Sequence, residues 1–184
     1  MKNQKIDHRV RYTKMVIKES LLELMKEKSI NNITVTEICK LADINRNTFY
    51  CHYENQFELL ESLEDELYKD IVQIVERDLK NNQTATLTCA LCKYIKDNQS
   101  ICKIILSDKG DQKLLERIMY ISYDYTKNAA DIDDELFDNW YAFVAHGTIA
   151  VIKRWINNGL KESPDTVAAF IEKATSSVSK EISY

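Results

Sequence analysis

Residues 34–53 read TVTEICKLADINRNTFYCHY, and the spacing predicts two short helices on either side of a tight turn. Thr34 sits where a helix cap belongs, with Glu37 three residues on to complete a capping box. In that motif the threonine oxygen takes one orphan amide of the first turn and the carboxylate takes another. The helix that follows carries Val35, Ile38, Cys39 and Leu41 toward a core and stops near Ala42. After Asp43 and Ile44, Asn45 is a good cap for the second helix, which holds Arg46, Asn47, Thr48, Phe49, Tyr50, Cys51 and His52. Phe49 and Tyr53, four residues apart, anchor that helix on the core and leave the other side chains at or near the outside.

Such a pair is a helix-turn-helix, and its exposed face has the chemistry of a duplex reader. A major groove about 12 Å wide admits one helix, whose outer positions must offer hydrogen-bonding side chains while the inner face stays fixed. Arginine suits guanine and asparagine suits adenine, so Arg46 and Asn47 are the expected base readers. Hydroxyls and histidine more often hold phosphate oxygens.

Working outward, a helix is expected from about Val10 to Lys28, with Ile17, Leu21, Leu24 and Met25 on one face. From Asn55 a long amphipathic helix reaches about Lys80, its apolar stripe read as Phe57, Leu60, Leu63, Leu67, Ile71, Ile74 and Val75. Further helices are predicted at about 85–98, 100–107, 111–127, 133–158 and 164–182, separated by short polar or Gly- and Pro-containing breaks. The expectation is an all-α protein of about nine helices. A helix-turn-helix domain would cover 1–54 and a helical regulatory and dimerisation domain 55–184.

Composition agrees. The 184 residues are 45% hydrophobic and 29% charged, with one Pro and three Gly, too few breakers for a sheet-rich protein of many tight turns. No uninterrupted apolar run reaches the ~18 residues that cross a bilayer, and MKNQKIDHRVRYTK lacks the apolar core of a signal peptide. A cytoplasmic protein without a membrane partner is expected. The net charge of −4 is segregated: residues 1–53 carry ten Lys or Arg against six Asp or Glu, giving +4, and the remainder fifteen against twenty-three, giving −8. A basic N-terminal segment on an acidic body turns the molecule's positive end toward phosphate.

The helix near 133–158 is apolar on two faces, Leu136, Trp140, Phe143 and Gly147 on one and Phe137, Tyr141, Val144, Val151 and Trp155 beside it. The last helix adds Val167, Phe170, Ile171, Ala174 and Val178 in the same rhythm. One core rarely needs both faces. The two helices are expected to bury one inside the subunit and to pair the other with a second copy in a four-helix interface, through Phe143, Gly147, Val151, Phe170, Ile171, Ala174 and Val178.

The run ITVTEICKLADINRNTFYCHYENQFELL, preceded by TKMVIKESLLELM, resembles the signature of the TetR family of bacterial transcriptional regulators. The resemblance implies a three-helix DNA-binding domain and a helical C-terminal domain that binds a small-molecule effector and dimerises, acting as a repressor on a palindromic operator. By motif position it implies that Thr48, Tyr50 and His52 hold phosphates and that Arg46, Asn47 and Cys51 face bases, with the caps Thr34 and Asn45 completing the DNA-binding set. Family members often place lysines just before and at the start of the fourth helix, where this chain has Glu54 and Gln56. Fewer phosphate contacts and a shallower salt dependence are therefore expected, with backbone amides near Asn55 and the side chains of Arg9, Arg11 and Lys14 as the remaining anchors. In the C-terminal half, LCKYIKDNQSICKIILSDKGDQKLLERI and WYAFVAHGTIAVIKRWINNGLKESPD are similar to a subgroup that includes regulators of dihydroxyacetone kinase operons. The missing lysines keep a second role open, as an activator or co-activator working through a partner protein.

Other constellations are weaker. Cys89 and Cys92 form a CxxC with Cys102 ten residues on, the basis of an alternative thiol- or metal-responsive sensor; packed, reduced thiols are the simpler reading of the five cysteines. Tyr94, Tyr120, Tyr123, Tyr141 and His146 come from helices that can surround an apolar cavity, and these are the expected effector contacts. Asp131, Asp133, Asp134 and Glu135 suit the dipole at a helix start and need no cation. With no Gly-rich phosphate loop, nucleophile elbow or HExxH pair, neither catalysis nor a cofactor is expected.

Overall fold

In the computed structural model, residues 2–80, 84–106, 112–129 and 134–182 are described. Among them run nine α-helices: α1 (Lys2–Glu27), α2 (Val35–Leu41), α3 (Arg46–Tyr50), α4 (Gln56–Lys80), α5 (Thr84–Asp97), α6 (Gln99–Ile105), α7 (Gln112–Ala129), α8 (Asp134–Asn157) and α9 (Pro164–Ile182), with one 3-10 turn at Ile30–Asn32. The all-α expectation holds. No described helix is long and apolar enough to cross a membrane. Asp131 and Asp133, weighed above as carboxylates at a helix start, lie outside the described residues.

The chain divides into two compact units, 1–67 and 68–184. The division falls inside α4 instead of ahead of it, because the first turns of α4 bury Leu59, Leu63 and Leu67 with the first unit. In that unit Ile17, Leu21, Ile33, Ile38, Phe49 and Leu59 are all but fully excluded from solvent. The buried Ser20 hydroxyl satisfies itself by donating to the Val16 carbonyl at 2.7 Å. Three sequence expectations shift. α1 starts at Lys2, well before its apolar stripe, since nothing in residues 2–9 breaks a helix. Leu41 is half exposed: at ~100° per residue it lies roughly 110° round α2 from the midpoint of buried Ile38 and Cys39. On α4 the buried row is Leu59, Leu63, Leu67, Ile71 and Val75, a clean i,i+4 line, while Phe57 is half exposed.

In the second unit α5 packs on α9, α9 on α8, and α6 and α7 each touch α8. Its core gathers Cys92 and Ile95, Cys102 and Ile105, Leu114, Phe137, Trp140, Tyr141 and Trp155, and Val167, Ala168 and Ile171. The α8–α9 corner is closed locally. Gly159, at φ 82°, turns the chain out of the helix, and the Gly159 and Leu160 amides donate back to the Ile156 and Trp155 carbonyls at 3.0 and 2.9 Å. This is the paired bonding of a Schellman motif. Ser163 then caps α9 by accepting from the Thr166 amide at 3.1 Å, with Pro164 as its first helical residue. A turn this short holds α8 and α9 side by side, which puts their outer faces in one surface.

Candidate nucleic-acid interface

Each helix of the reading motif is capped as its sequence predicts. The Thr34 hydroxyl oxygen accepts from the Glu37 amide at 3.3 Å, and the Glu37 carboxylate accepts from the Thr34 amide and hydroxyl, both at 2.9 Å. Lys28 pairs with the same carboxylate. The Lys28 contact first, and the Thr34 bonds after it, bring the Glu37 carboxyl from its ordinary 4.5 down to about 2. Between the helices Asp43 takes the left-handed conformation, φ 52°, and the Ile44 amide donates to the Cys39 carbonyl at 3.0 Å. Asn45 then caps α3, its Oδ1 accepting from the Thr48 amide at 2.8 Å and from the Thr48 hydroxyl at 3.0 Å.

α3 is only five residues long, with Cys51 as its C-cap, so His52 and Tyr53 belong to the turn that follows. Their amides both return to the Phe49 carbonyl, at 2.9 and 3.0 Å. Phe49 is wholly buried and Tyr53 nearly so, the two anchors expected, and burial pushes the Tyr53 phenol up. Outside stand Arg46, Asn47, Tyr50 and Cys51, with Thr48 and His52 half-buried. These side chains are less idle than the sequence suggested. Arg46 Nη2 donates to the Tyr50 hydroxyl at 2.9 Å, and the guanidinium carbon lies 5.7 Å from the Tyr50 ring centre. Thr34 and Thr48 each donate their one hydroxyl proton inside the protein. A phosphate only accepts, so either threonine serves it with a hydroxyl donor only by giving up the bond its proton makes to Glu37 or Asn45.

The start of α4 is also different from expectation. Asn55 Oδ1 accepts from the Phe57 amide at 2.9 Å and the Glu58 amide at 3.0 Å, and the Glu58 carboxylate takes the Glu54 amide. Three of the amides around Asn55, those of Glu54, Phe57 and Glu58, are thus engaged by the protein's own side chains. The signal was in the sequence, where Asn55 followed three residues later by Glu58 is the capping-box spacing. Arg9, Arg11 and Lys14 are exposed on α1 itself.

In the second unit the five residues expected around an effector are not all brought into one group. Tyr123 and Tyr141 meet, 5.0 Å between ring centres, in a cluster filled by Phe137 and Trp140. The Tyr141 hydroxyl donates to the Met119 carbonyl at 2.6 Å and Tyr123 donates to Asp138 at 2.6 Å. Tyr94 donates to Asp70 on α4 at 2.8 Å, whereas Tyr120 and His146 are exposed. The residues expected at a dimer interface do converge. An open apolar groove along α8 and α9 is lined by Phe143, Gly147, Val151, Phe170, Ile171, Ala174 and Val178, joined by Val144, read above on the neighbouring apolar face, and by Thr148 and Thr175, which the sequence reading missed. Phe143 and Phe170 are 67% and 61% exposed there.

All five cysteines are free thiols. Burial pushes Cys92 up to about 11 and Cys102 up to about 12, and a contact with Asp165 raises Cys89, the opposite of what favours a reactive thiolate. Among the described residues no group of three or more His, Cys, Asp or Glu is gathered to hold a metal ion.

A capped helix-turn-helix in one unit, followed by a helical unit with an uncovered apolar face, is the architecture of a transcriptional regulator. The TetR-type family model described as "Transcriptional regulator C-terminal region" matches residues 82–177, just over half the chain. The HTH-type transcriptional regulator YxbF of Bacillus subtilis (strain 168) is 22% identical over 168 residues, which cover 83% of this chain and 42% of that protein. The HTH-type dhaKLM operon transcriptional activator DhaS of Lactococcus lactis subsp. lactis (strain IL1403) is 30% identical over 99 residues, 53% of this chain and 51% of that one. The matches thus span about half the length of these curated relatives. The crystal structure of a TetR transcriptional regulator from Streptococcus agalactiae 2603V shares the fold, with a TM-score of 0.68 at 22% identity over 94% of this chain and 98% of that one. The chain belongs to the TetR family of transcriptional regulators.

Proposed function

We propose that this regulator binds a palindromic DNA operator in the cytoplasm as a homodimer and loses affinity for it when a small molecule enters the C-terminal unit, repressing the genes beside the operator. The observation that carries the reading is α3: a helix pinned by buried Phe49 that turns Arg46 and Asn47 outward. Two copies would set their reading helices in successive major grooves, about 34–36 Å apart. The dimer rests on the α8–α9 groove and on Gly147. A glycine inside a helix costs roughly 0.5–1 kcal/mol relative to alanine, yet a Cβ added at Gly147 meets nothing within 4 Å in its own chain. A close-packed second helix accounts for a glycine there. α4 contributes to both units as one unbroken helix, and it is the element through which effector occupancy would reach α3.

Activation is the second reading, favoured by the similarity to DhaS, which is named an activator, and by the self-capped start of α4. Gel-shift titration of the full chain with the promoter regions adjoining its own gene tests DNA binding, and a reporter on the bound promoter gives the sign. Retardation at nanomolar to sub-micromolar protein is expected, with reporter output rising when the gene is deleted. Output that falls on deletion replaces repression with activation, and no retardation at micromolar protein defeats the DNA-reading role.

A further inference from the structure

We propose that Tyr50 is a positioning residue for Arg46: its hydroxyl and ring hold the guanidinium fork at the outer face of α3, so that the base preference supplied by Arg46 depends on Tyr50. The proposal rests on the DNA-reading role above. Four residues apart on a helix, the two side chains share a face, and they make two contacts, the 2.9 Å hydrogen bond and the 5.7 Å approach of guanidinium to ring. The tyrosine is itself fixed. Its ring stands edge-on to Phe49, with 5.7 Å between centres and 89° between planes, and Phe49 is wholly buried. Support therefore runs from the core through Phe49 to Tyr50 and on to the guanidinium.

Without that support Arg46 is a long, freely rotating side chain, and a base contact would have to order it. Pre-ordering removes part of that cost and restricts where the fork points, which is what selectivity for one base edge requires. The donor arithmetic allows both contacts at once. A guanidinium has five N–H groups, and one given to Tyr50 leaves donors for the two acceptors on a guanine edge. The Tyr50 hydroxyl accepts from Arg46 and keeps its own proton, so it can also donate to a phosphate, the role its motif position implies. Removing the hydroxyl separates the two roles: a phosphate bond lost weakens all sequences alike, whereas a positioning bond lost relaxes one base pair.

The test selects preferred sites for the wild-type full chain from a pool of randomised duplexes. Single-base variants of the selected site are then titrated against wild type, Tyr50→Phe, Arg46→Ala and the double variant. Tyr50 is half exposed and phenylalanine keeps the ring, so thermal unfolding should stay at the wild-type temperature. Arg46→Ala is expected to flatten discrimination of about 5- to 150-fold at one base pair. Tyr50→Phe should remove roughly half or more of that on a logarithmic scale at the same pair and leave the others intact, and adding it to Arg46→Ala should flatten that pair no further. Equal weakening of every duplex by Tyr50→Phe, with the base profile unchanged, makes Tyr50 a phosphate contact and overturns the proposal; so does an unchanged profile with unchanged affinity. If the wild type enriches no sequence at all, the DNA-reading role itself fails and the positioning role with it.

Discussion

The outward face of α3 and the outward face shared by α8 and α9 both stand uncovered in the isolated chain, and their chemistry calls for different partners. On α3 the outward groups are polar, and some are already engaged within the protein: Arg46 with Tyr50, and half-buried Thr48 with the cap Asn45. Such a face is at ease in water, and it gains a partner by exchanging one set of hydrogen bonds and counterions for another. Along α8 and α9 the lining includes no titratable side chain, and Phe143 and Phe170 face solvent. Apart from the Thr148 and Thr175 hydroxyls the lining is apolar, so its stabilisation, at roughly 25 cal/mol per Å² of apolar surface, comes from being covered. The first face suits a reversible partner and the second a permanent one.

The largest effect expected on that comparison comes from Phe49. A five-residue helix cannot hold itself in water, so α3 depends on its anchor. Phe49→Ala should cost about 3–5 kcal/mol, a large share of the ~5–15 kcal/mol that typically stabilises a domain. Circular dichroism should show an early thermal transition and gel shifts a loss of DNA binding, while light scattering still reports a dimer. An unaltered melting profile would show that α3 does not depend on Phe49. Next in size is the pair Phe143→Glu and Phe170→Glu. Both positions are more than half exposed, so the helices should survive, but each buried aromatic at an interface centre is worth about 2 kcal/mol or more. Light scattering at micromolar concentration should fall to the mass of one chain, and Gly147→Ala should weaken the dimer while raising helix stability. A wild-type chain that is already monomeric would remove the dimer from the proposal.

How much of this was legible beforehand depended on the range of the interaction. Caps are local, and Thr34 with Glu37 and Asn45 do what their spacing promised, while Gly159 and Pro164 fall in one of the Gly- and Pro-containing breaks expected between helices. The anchors Phe49 and Tyr53 and the groove residues Phe143 and Phe170 also followed from periodicity, because one helix face is a property of one segment. The extent of α1 did not, since an apolar stripe marks where a helix is buried and not where it begins. The phase of α4 slipped because Leu59 and Leu60 compete for the same stripe, and only the packed neighbours choose Leu59. Gathering five aromatic and histidine side chains round a cavity required the rotation of α5, α7 and α8 about their own axes, which no single segment encodes. Tyr123 and Tyr141 met; Tyr120 and His146 were turned to solvent.

The smallest effect is a pH dependence confined to the unit that carries α3. Glu37 closes the capping box of α2 with its carboxyl lowered to about 2 from 4.5, through Lys28 first and then Thr34. A carboxyl lowered on folding contributes stability that is complete above its unfolded value near 4.5 and is lost as pH falls through its folded value near 2. Glu37→Gln keeps an acceptor for the Thr34 amide but not the charge that Lys28 meets. The melting temperature of the wild type should therefore exceed that of the variant at pH 6, and the two should converge between pH 4.5 and about 2. Taking the difference between the two proteins cancels the titration of every other carboxylate, so a gap that stays constant down to acid would mean Glu37 acts by shape and not by charge. Across the same range, dimerisation of the two should be indistinguishable, because the α8–α9 groove has no proton to gain.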